Sequence, residues 1–318
     1  MRKSKLPLKK LYTFVSHFLK RVCPNKQAKK KGRPQKYEDA LIITLWLFQI
    51  LNNYSYRETL EKAKDEGFNV PSLCDYHYRV KQLDDELLKS ILEECANLLL
   101  EDKQILCYIA DATGFGFGDK SPTPATPKLN WERGTQIRTV QSHVRLEVIM
   151  VVDENKRRII TAVEAGGPYE SEIEMLRKAL KRLKPQKGLP FIADKGYDAV
   201  DIIESLLDGG FEPAIRIKET MRMSIRHPLR KLSNENWDRY GKMRYKIEQL
   251  FGSIKQKIGS SFKLLSEDLS RKASIACAIL WNFWVLATYL FLLFLSGILQ
   301  YSYAKGCGRF LEQPQGWS

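Results

Sequence analysis

The fold class is decided by a short apolar run that ends in a carboxylate, Ile105-Leu106-Cys107-Tyr108-Ile109-Ala110-Asp111. A run of this length and composition predicts a buried β-strand that ends at the acidic residue. Residues 143–153 place apolar side chains at alternate positions, which predicts a second strand. Residues 158–165 predict a third strand after a charged turn, so the three strands are expected to form a meander.

Helices and strands alternate over the next hundred residues. We predict helices over 171–183 and 199–207, strands over 189–193 and 212–217, and a last helix over 239–258. The last helix carries one apolar stripe, formed by Ile247, Leu250, Phe251, Ile254 and Ile258. The complete order, β-β-β-α-β-α-β-α, predicts an α/β domain.

Three carboxylates stand at informative places in this order. Asp111 and Asp194 each end an apolar strand, and a carboxylate there is well placed to face an ion. Glu248 lies on the last helix, and the spacing of Arg244, Glu248 and Lys255 puts all three on one polar face. Carboxylate oxygens without Cys or His ligands suit a magnesium centre. The alternative is a simple surface ion pair between Arg244 and Glu248.

The positive charge of the chain is concentrated at its start. The formal net charge is +15, and residues 1–36 contain thirteen Lys or Arg and no Asp or Glu. Such a segment attracts polyanions by counterion release, so nucleic acid or an anionic membrane is the expected partner. We expect 1–36 to be a flexible basic leader in which Lys31 and Arg33 contact DNA, with a solvated tail as the alternative.

A second basic run follows the fifth strand. Its members are Arg216, Lys218, Arg222, Arg226, Arg230 and Lys231. We expect this run to extend a DNA-binding surface, and an ordinary solvated loop is the alternative.

Residues 37–102 have a helical pattern and form a separate region. Ser55 is placed to begin one short helix and Ser72 another, an arrangement that fits either a helix-turn-helix or a plain packing and dimerisation region. The α/β domain is expected over 103–299, and residues 300–318 form a tail.

The six cysteines contain no CxxC pair, Cys74 with His77 lacks a second ligand pair, and we identify no secretory signal. These features favour the cytoplasm.

An apolar stretch near the C-terminus allows a different interpretation. Residues 273–299 contain no charged side chain, and an uncharged stretch of this length is long enough to cross a bilayer. The stretch also carries polar residues such as Asn282 and follows the last predicted helix closely. A buried or subunit-facing helix is therefore the preferred interpretation, with a membrane anchor as the alternative.

The acidic motifs resemble those of the DDE transposases of prokaryotic insertion sequences. The matching segments are Asp111-Ala112-Thr113-Gly114, Asp194-Lys195-Gly196-Tyr197-Asp198 and Arg244-x3-Glu248-x6-Lys255. The likeness covers roughly residues 30–290, and its last motif is the most specific. One departure concerns the Tyr that the family carries three positions before the Arg. Position 241 is Gly, with Tyr240 just before it.

The resemblance implies an RNase H-like catalytic domain with a mixed five-stranded sheet. It also implies two Mg²⁺ or Mn²⁺ ions held by Asp111, Asp194 and Glu248, for cleavage at transposon ends and strand transfer into target DNA. Arg244, Lys255 and Tyr240 would contact DNA, and the transposase would act as a homodimer on the nucleoid. Three alternatives stay open: a non-catalytic protein that binds transposon ends, a nuclease that cuts without joining, and a membrane protein.

Overall fold

The structure is a computed structural model and describes residues 6–24, 36–118, 128–130, 134–136, 143–218 and 227–295. Four predicted DNA-contact residues, Lys31, Arg33, Arg222 and Arg226, lie outside these ranges, as does the tail 300–318. Their predicted roles stay predictions.

A mixed sheet forms the centre of the molecule. Its strands are β1 (Ile105–Phe117), β4 (His143–Asp153), β5 (Arg158–Gly166), β6 (Pro190–Ala193) and β7 (Glu212–Ile215), in the spatial order β5-β4-β1-β6-β7. β5, β4 and β1 form the predicted meander, whereas β6 and β7 run parallel to β1. A two-residue strand, β8 (Ser261–Phe262), pairs with the end of β1. Between β1 and β4, β2 (Lys128–Asn130) and β3 (Gly134–Gln136) form a hairpin.

Helices cover both faces of this sheet. They are α1 (Leu8–Val22), α2 (Asp39–Asn52), α3 (Tyr56–Asp65), α4 (Leu73–Lys81), α5 (Asp85–Leu100), α6 (Glu172–Leu180), α7 (Val200–Asp208), α8 (Pro228–Tyr240), α9 (Tyr245–Lys257) and α10 (Glu267–Leu295). Alternate residues of β4 therefore enter two cores. Val148 joins the larger core with α1, α2, α5, α9 and α10, and Ile149 joins the smaller core with α6 and α7.

The helix starts predicted in the N-terminal region are confirmed. The Ser55 hydroxyl accepts a hydrogen bond from the Glu58 amide, and the Glu58 carboxylate accepts one from the Ser55 amide, which completes a capping box at α3. The Ser72 hydroxyl caps α4 in the same way by accepting from the Asp75 amide.

The leader was predicted to be flexible over 1–36, and this is wrong for residues 8–22. These residues form α1, whose Leu8, Leu11, Phe14, Val15 and Phe18 are buried. Phe18 stacks against Phe283 of α10, with ring centroids 5.7 Å apart. The apolar residues recur at helical spacing between the lysines, so the helix has one face that packs and one that carries charge.

The single last helix predicted over 239–258 is also wrong. Helix α8 ends at Tyr240, a 3₁₀ turn spans Gly241–Arg244, and α9 begins at Tyr245. At Gly241 the chain passes close to the Trp237 ring, where a Cβ would lie 2.7 Å from ring atoms. This contact requires glycine at the turn.

Strand β1 does not end at Asp111, as its apolar run predicted. It continues to Phe117 because its residues keep pairing with β4 as far as Gly116 and His143. Asp111 therefore lies within β1, beside the point where the parallel strand β6 ends.

Both edge strands of the sheet are covered by polar side chains from helices. On β7, the Ser233 hydroxyl bonds to the Ile215 amide and carbonyl, and the Asn236 amide donates to the Pro213 carbonyl. On β5, the Asn282 side chain bonds to the amide and carbonyl of Ile160 at 3.0 and 2.8 Å. These bonds satisfy edge groups that would otherwise pair with another chain.

The apolar helix α10 is long enough to cross a membrane by length and composition. Its polar residue Asn282 is fully buried against β5, and most of the apolar window is buried inside the protein. In this fold the helix is a core element, as the preferred interpretation of the sequence expected.

Candidate active site

Adjacent parallel strands bring Asp111 and Asp194 together. Ala110 of β1 pairs with Ala193 of β6. Each aspartate is the residue directly after one member of this pair. Each aspartate stands two residues after a member of the larger core, Ile109 or Ile192. Both carboxylates therefore lie on the sheet face that α9 and α10 cover.

The guanidinium of Arg244 lies between the three predicted carboxylates. Its Nη2 is 3.1 Å from Asp111 Oδ2 and 3.6 Å from Asp194 Oδ2, and its Nη1 is 2.7 Å from Glu248 Oε1. The 3₁₀ turn and the first turn of α9 place Arg244 and Glu248 above the end of strand β6. The expected ion pair between Arg244 and Glu248 is present, but it belongs to a four-residue cluster rather than to an isolated surface pair.

Burial differs among the three carboxylates. The Asp111 side chain is 19% exposed, Asp194 is 30% exposed and Glu248 is 58% exposed. Burial raises the pKa of Asp111, while Arg244 and the Ala112 amide, which donates to Asp111 at 2.9 Å, act in the opposite direction. The negative charge of Asp194 raises the pKa of Asp111 further. A cation beside Asp111 would oppose this rise.

The donor set fits a hard cation by its chemistry. Three carboxylates converge on one positive group and contribute only oxygen ligands, which Mg²⁺ prefers. As the side chains stand, no three His, Cys, Asp or Glu residues in the described ranges could hold a metal ion together. Cys74 and His77 therefore gain no third ligand there. At the carboxylates, the Arg244 guanidinium occupies the space between the oxygens.

Lys255 and Tyr240 lie apart from these contacts. Lys255 is half-buried with its Nζ over the Phe115 ring, 5.7 Å from the centroid, and burial lowers its pKa. The Tyr240 hydroxyl donates to Glu212 at 3.1 Å. Glu212 begins β7, whereas Asp194 follows the end of the parallel strand β6, so the Tyr240 hydroxyl lies toward the opposite end of these strands.

A cleft of about 600 Å³ begins at Lys195, the residue after Asp194. Lys195, Arg216, Lys218 and Trp237 line it, together with Ile217, Asn234 and Asp238. The three cations come from the chain directly after β6 and β7, next to Asp194. Arg216 and Lys218 of the predicted basic run therefore lie beside the candidate site.

Arg230 of the same basic run does not point into solvent. Its Nε donates to Asp198 Oδ1 at 2.9 Å, and its Nη2 donates to Oδ2 of the same carboxylate. Both side chains are buried, and the Lys218 amide donates to Asp198 as well. The prediction that Arg230 contacts DNA is wrong, because a buried partner 32 residues away takes up its charge.

Sequence reasoning missed the buried pair Glu147 and Tyr197. Glu147 of β4 is fully buried and accepts a hydrogen bond from the Tyr197 hydroxyl at 2.8 Å. Burial raises the pKa of Glu147 well above its usual value. The available signal was an acidic residue between Leu146 and Val148, inside a strand with strands on both sides. Such a residue needs a buried partner.

The family is established by comparison. Residues 102–283 match the family model described as "Transposase DDE domain". The chain belongs to the DDE transposase family. This DDE transposase has the α/β, RNase H-like fold that the resemblance implied, and its family carries out metal-dependent nuclease and transposition chemistry.

Other proteins resemble this DDE transposase to different degrees. An uncharacterized protein of Aquifex aeolicus (strain VF5) is 30% identical over 274 residues, which cover 84% of this chain and 83% of the relative. The piggyBac transposase synaptic complex with hairpin DNA gives a TM-score of 0.44 at 9% identity, over 99% of this chain and 85% of that one. The Mos1 mariner paired end complex with Mn gives 0.22 at 13% identity, over 84% of each chain.

Proposed function

We propose that this protein catalyses metal-dependent DNA cleavage at transposon ends and strand transfer into target DNA, with Asp111, Asp194 and Glu248 as the metal ligands. The observation that carries the proposal is the convergence of these carboxylates on one guanidinium beside the end of strand β6. Two Mg²⁺ or Mn²⁺ ions would activate the attacking oxygen and stabilise the leaving oxygen of the phosphodiester.

The residues of the chain have distinct proposed roles. Asp111 is the most buried of the three carboxylates and would contact both ions, while Asp194 and Glu248 would each hold one. Arg244 contacts all three carboxylates and would turn to a DNA phosphate when cations bind them. Lys255 would hold a second phosphate as a fixed positive charge.

DNA is the proposed partner, bound by the basic segments of the chain. The support is charge: residues 1–36 carry thirteen cations, and the cleft beside Asp194 is lined by Lys195, Arg216 and Lys218. Tyr240 would contribute little, because Glu212 holds its hydroxyl. We further propose that two copies pair two transposon ends, because synapsis requires both ends to be held at once.

The decisive experiment measures binding and cleavage separately. DNA from both flanks of the gene, tested for inverted repeats, is incubated with each of Asp111→Ala, Asp194→Ala and Glu248→Ala, with and without Mg²⁺. Each variant is expected to bind this DNA within about threefold of wild type, since phosphate contacts supply the affinity, and to lose cleavage. Glu204→Ala, an exposed carboxylate on α7, is the matched control and should cleave normally.

A second comparison separates metal binding from DNA binding on one helix. Glu248→Gln should bind DNA normally and fail to cleave, since an amide is a poor ligand for a hard cation. Lys255→Ala should bind more weakly and recover at higher protein concentration. A wild-type protein that binds the ends and never cleaves would favour a non-catalytic DNA-binding protein, and cleavage without joining would favour a nuclease. Cleavage by a triple carboxylate variant would refute the metal proposal.

A further inference from the structure

The hydrogen bond between Glu147 and Tyr197 crosses the central strand of the sheet. Tyr197 ends the 3₁₀ turn that follows Asp194, and Glu147 lies on β4, so the bond reaches from the end of β6 over β1 to β4. Glu147 is opposite Ala112 of β1, the residue after Asp111. The crossing is therefore level with Asp111, on the opposite face of the sheet.

Strand pairing alone does not hold Asp194 at a set distance from Asp111. The ladder between β1 and β6 ends at Ala110 and Ala193, one residue before each aspartate. Beyond it, the turn is closed by the Tyr197 amide, which donates to the Asp194 carbonyl at 3.0 Å. The Tyr197 hydroxyl then anchors this turn to a strand on the far side of Asp111.

The anchor is enclosed by protein. Tyr197 is 1% exposed and Glu147 is fully buried, and both lie on the face covered by α6 and α7. Glu147 Oε1 has no hydrogen-bond partner among the described residues, so the bond through Oε2 is its only such contact there. Burying a carboxyl group that has one hydrogen-bond partner costs free energy of folding. Buried ionisable groups of this kind are concentrated at functional sites.

We propose that the Glu147–Tyr197 hydrogen bond is a strap that sets the spacing between Asp194 and Asp111, which makes both members of the strap positioning residues for the metal site. This inference rests on the proposed function, in which these aspartates share metal ions. A shift of a ligand by a fraction of an ångström weakens a metal site, because hard cations need a defined arrangement of oxygens.

The test measures Mn²⁺ binding to the full chain without DNA, by electron paramagnetic resonance. Tyr197→Phe removes only the hydroxyl and is expected to weaken Mn²⁺ binding about tenfold. Glu147→Gln keeps an acceptor oxygen and should stay within about twofold of wild type, whereas Glu147→Ala should match Tyr197→Phe. Tyr108→Phe is the matched control because Tyr108 is buried on the same face, and it should bind like wild type.

The outcomes distinguish the strap from the proposed function. If Asp111→Ala binds Mn²⁺ as well as wild type, the proposed metal site itself is wrong. If Asp111→Ala loses Mn²⁺ but Tyr197→Phe binds normally, only the strap is overturned. The strap is also overturned if Tyr108→Phe weakens binding as much as Tyr197→Phe does, since that would reflect general loosening. Failure of Glu147→Gln to retain binding would overturn it too.

Discussion

Removing Arg230 should destabilise the fold rather than weaken DNA binding directly. Its guanidinium makes two hydrogen bonds to Asp198, and the two side chains are 6% and 1% exposed. The pair joins the turn after Asp194 to helix α8, and the Lys218 amide donates to the same carboxylate at 2.7 Å. Arg230→Gln would leave Asp198 as a buried charge whose remaining donor, among the described residues, is the Lys218 amide.

The magnitude follows from that geometry. Breaking a buried ion pair by removing one partner costs about 3–5 kcal/mol. We take the lower end, about 3 kcal/mol, because the Lys218 amide remains bonded and a water molecule can reach the gap left by the long side chain. For a chain of this size such a loss lowers Tm by roughly 4–5 °C.

The assay is urea denaturation combined with DNA binding measured well below Tm. Lys231→Gln, an exposed cation beside Arg230, is the control and should keep the stability of the wild type. In a double-mutant cycle, Asp198→Ala combined with Arg230→Ala should cost less than the sum of the single variants. The reasoning is refuted if Arg230→Gln unfolds within about 0.5 kcal/mol of wild type and binds DNA more weakly, since Arg230 would then act as a surface contact.

Three further predictions concern the leader and the buried acid. Phe18→Ala should lower the free energy of unfolding by about 3–5 kcal/mol, because Phe18 is fully buried against α10; a flexible leader would show no loss in urea denaturation. Replacing the cations of residues 26–36 with Gln should flatten the slope of log K against log salt by about 0.9 for each phosphate that the protein no longer neutralises, and an unchanged slope would show that these cations do not touch DNA. Burial raises the pKa of Glu147, so the stability of the wild type should fall relative to that of Glu147→Gln as pH rises above about 4.3. If the difference in urea midpoint between these two proteins is the same at pH 5 and pH 8, this prediction is contradicted.

Local pattern was enough to predict the order of the five main strands. Apolar alternation and helical spacing depend on a few neighbouring residues, so the five main strands, the starts of α3 and α4, and the sequence positions of Asp111, Asp194 and Glu248 follow from reading along the chain. Residues 8–22 carry the same helical spacing of apolar residues, but lysines interrupt it and give the segment the charge of a basic leader.

Other features depend on which surfaces meet in three dimensions. Arg230 is part of a basic run in the sequence, and only the packing of α8 beside the turn after β6 pairs it with Asp198. Arg244 is four residues from Glu248, but its contact with Asp111, 133 residues away, requires the complete sheet. Local spacing determined which groups carry charge, and the tertiary structure decided which charges neutralise one another. The reason is that Coulomb and hydrogen-bond energies depend on distance in space, which residue spacing along the chain does not determine.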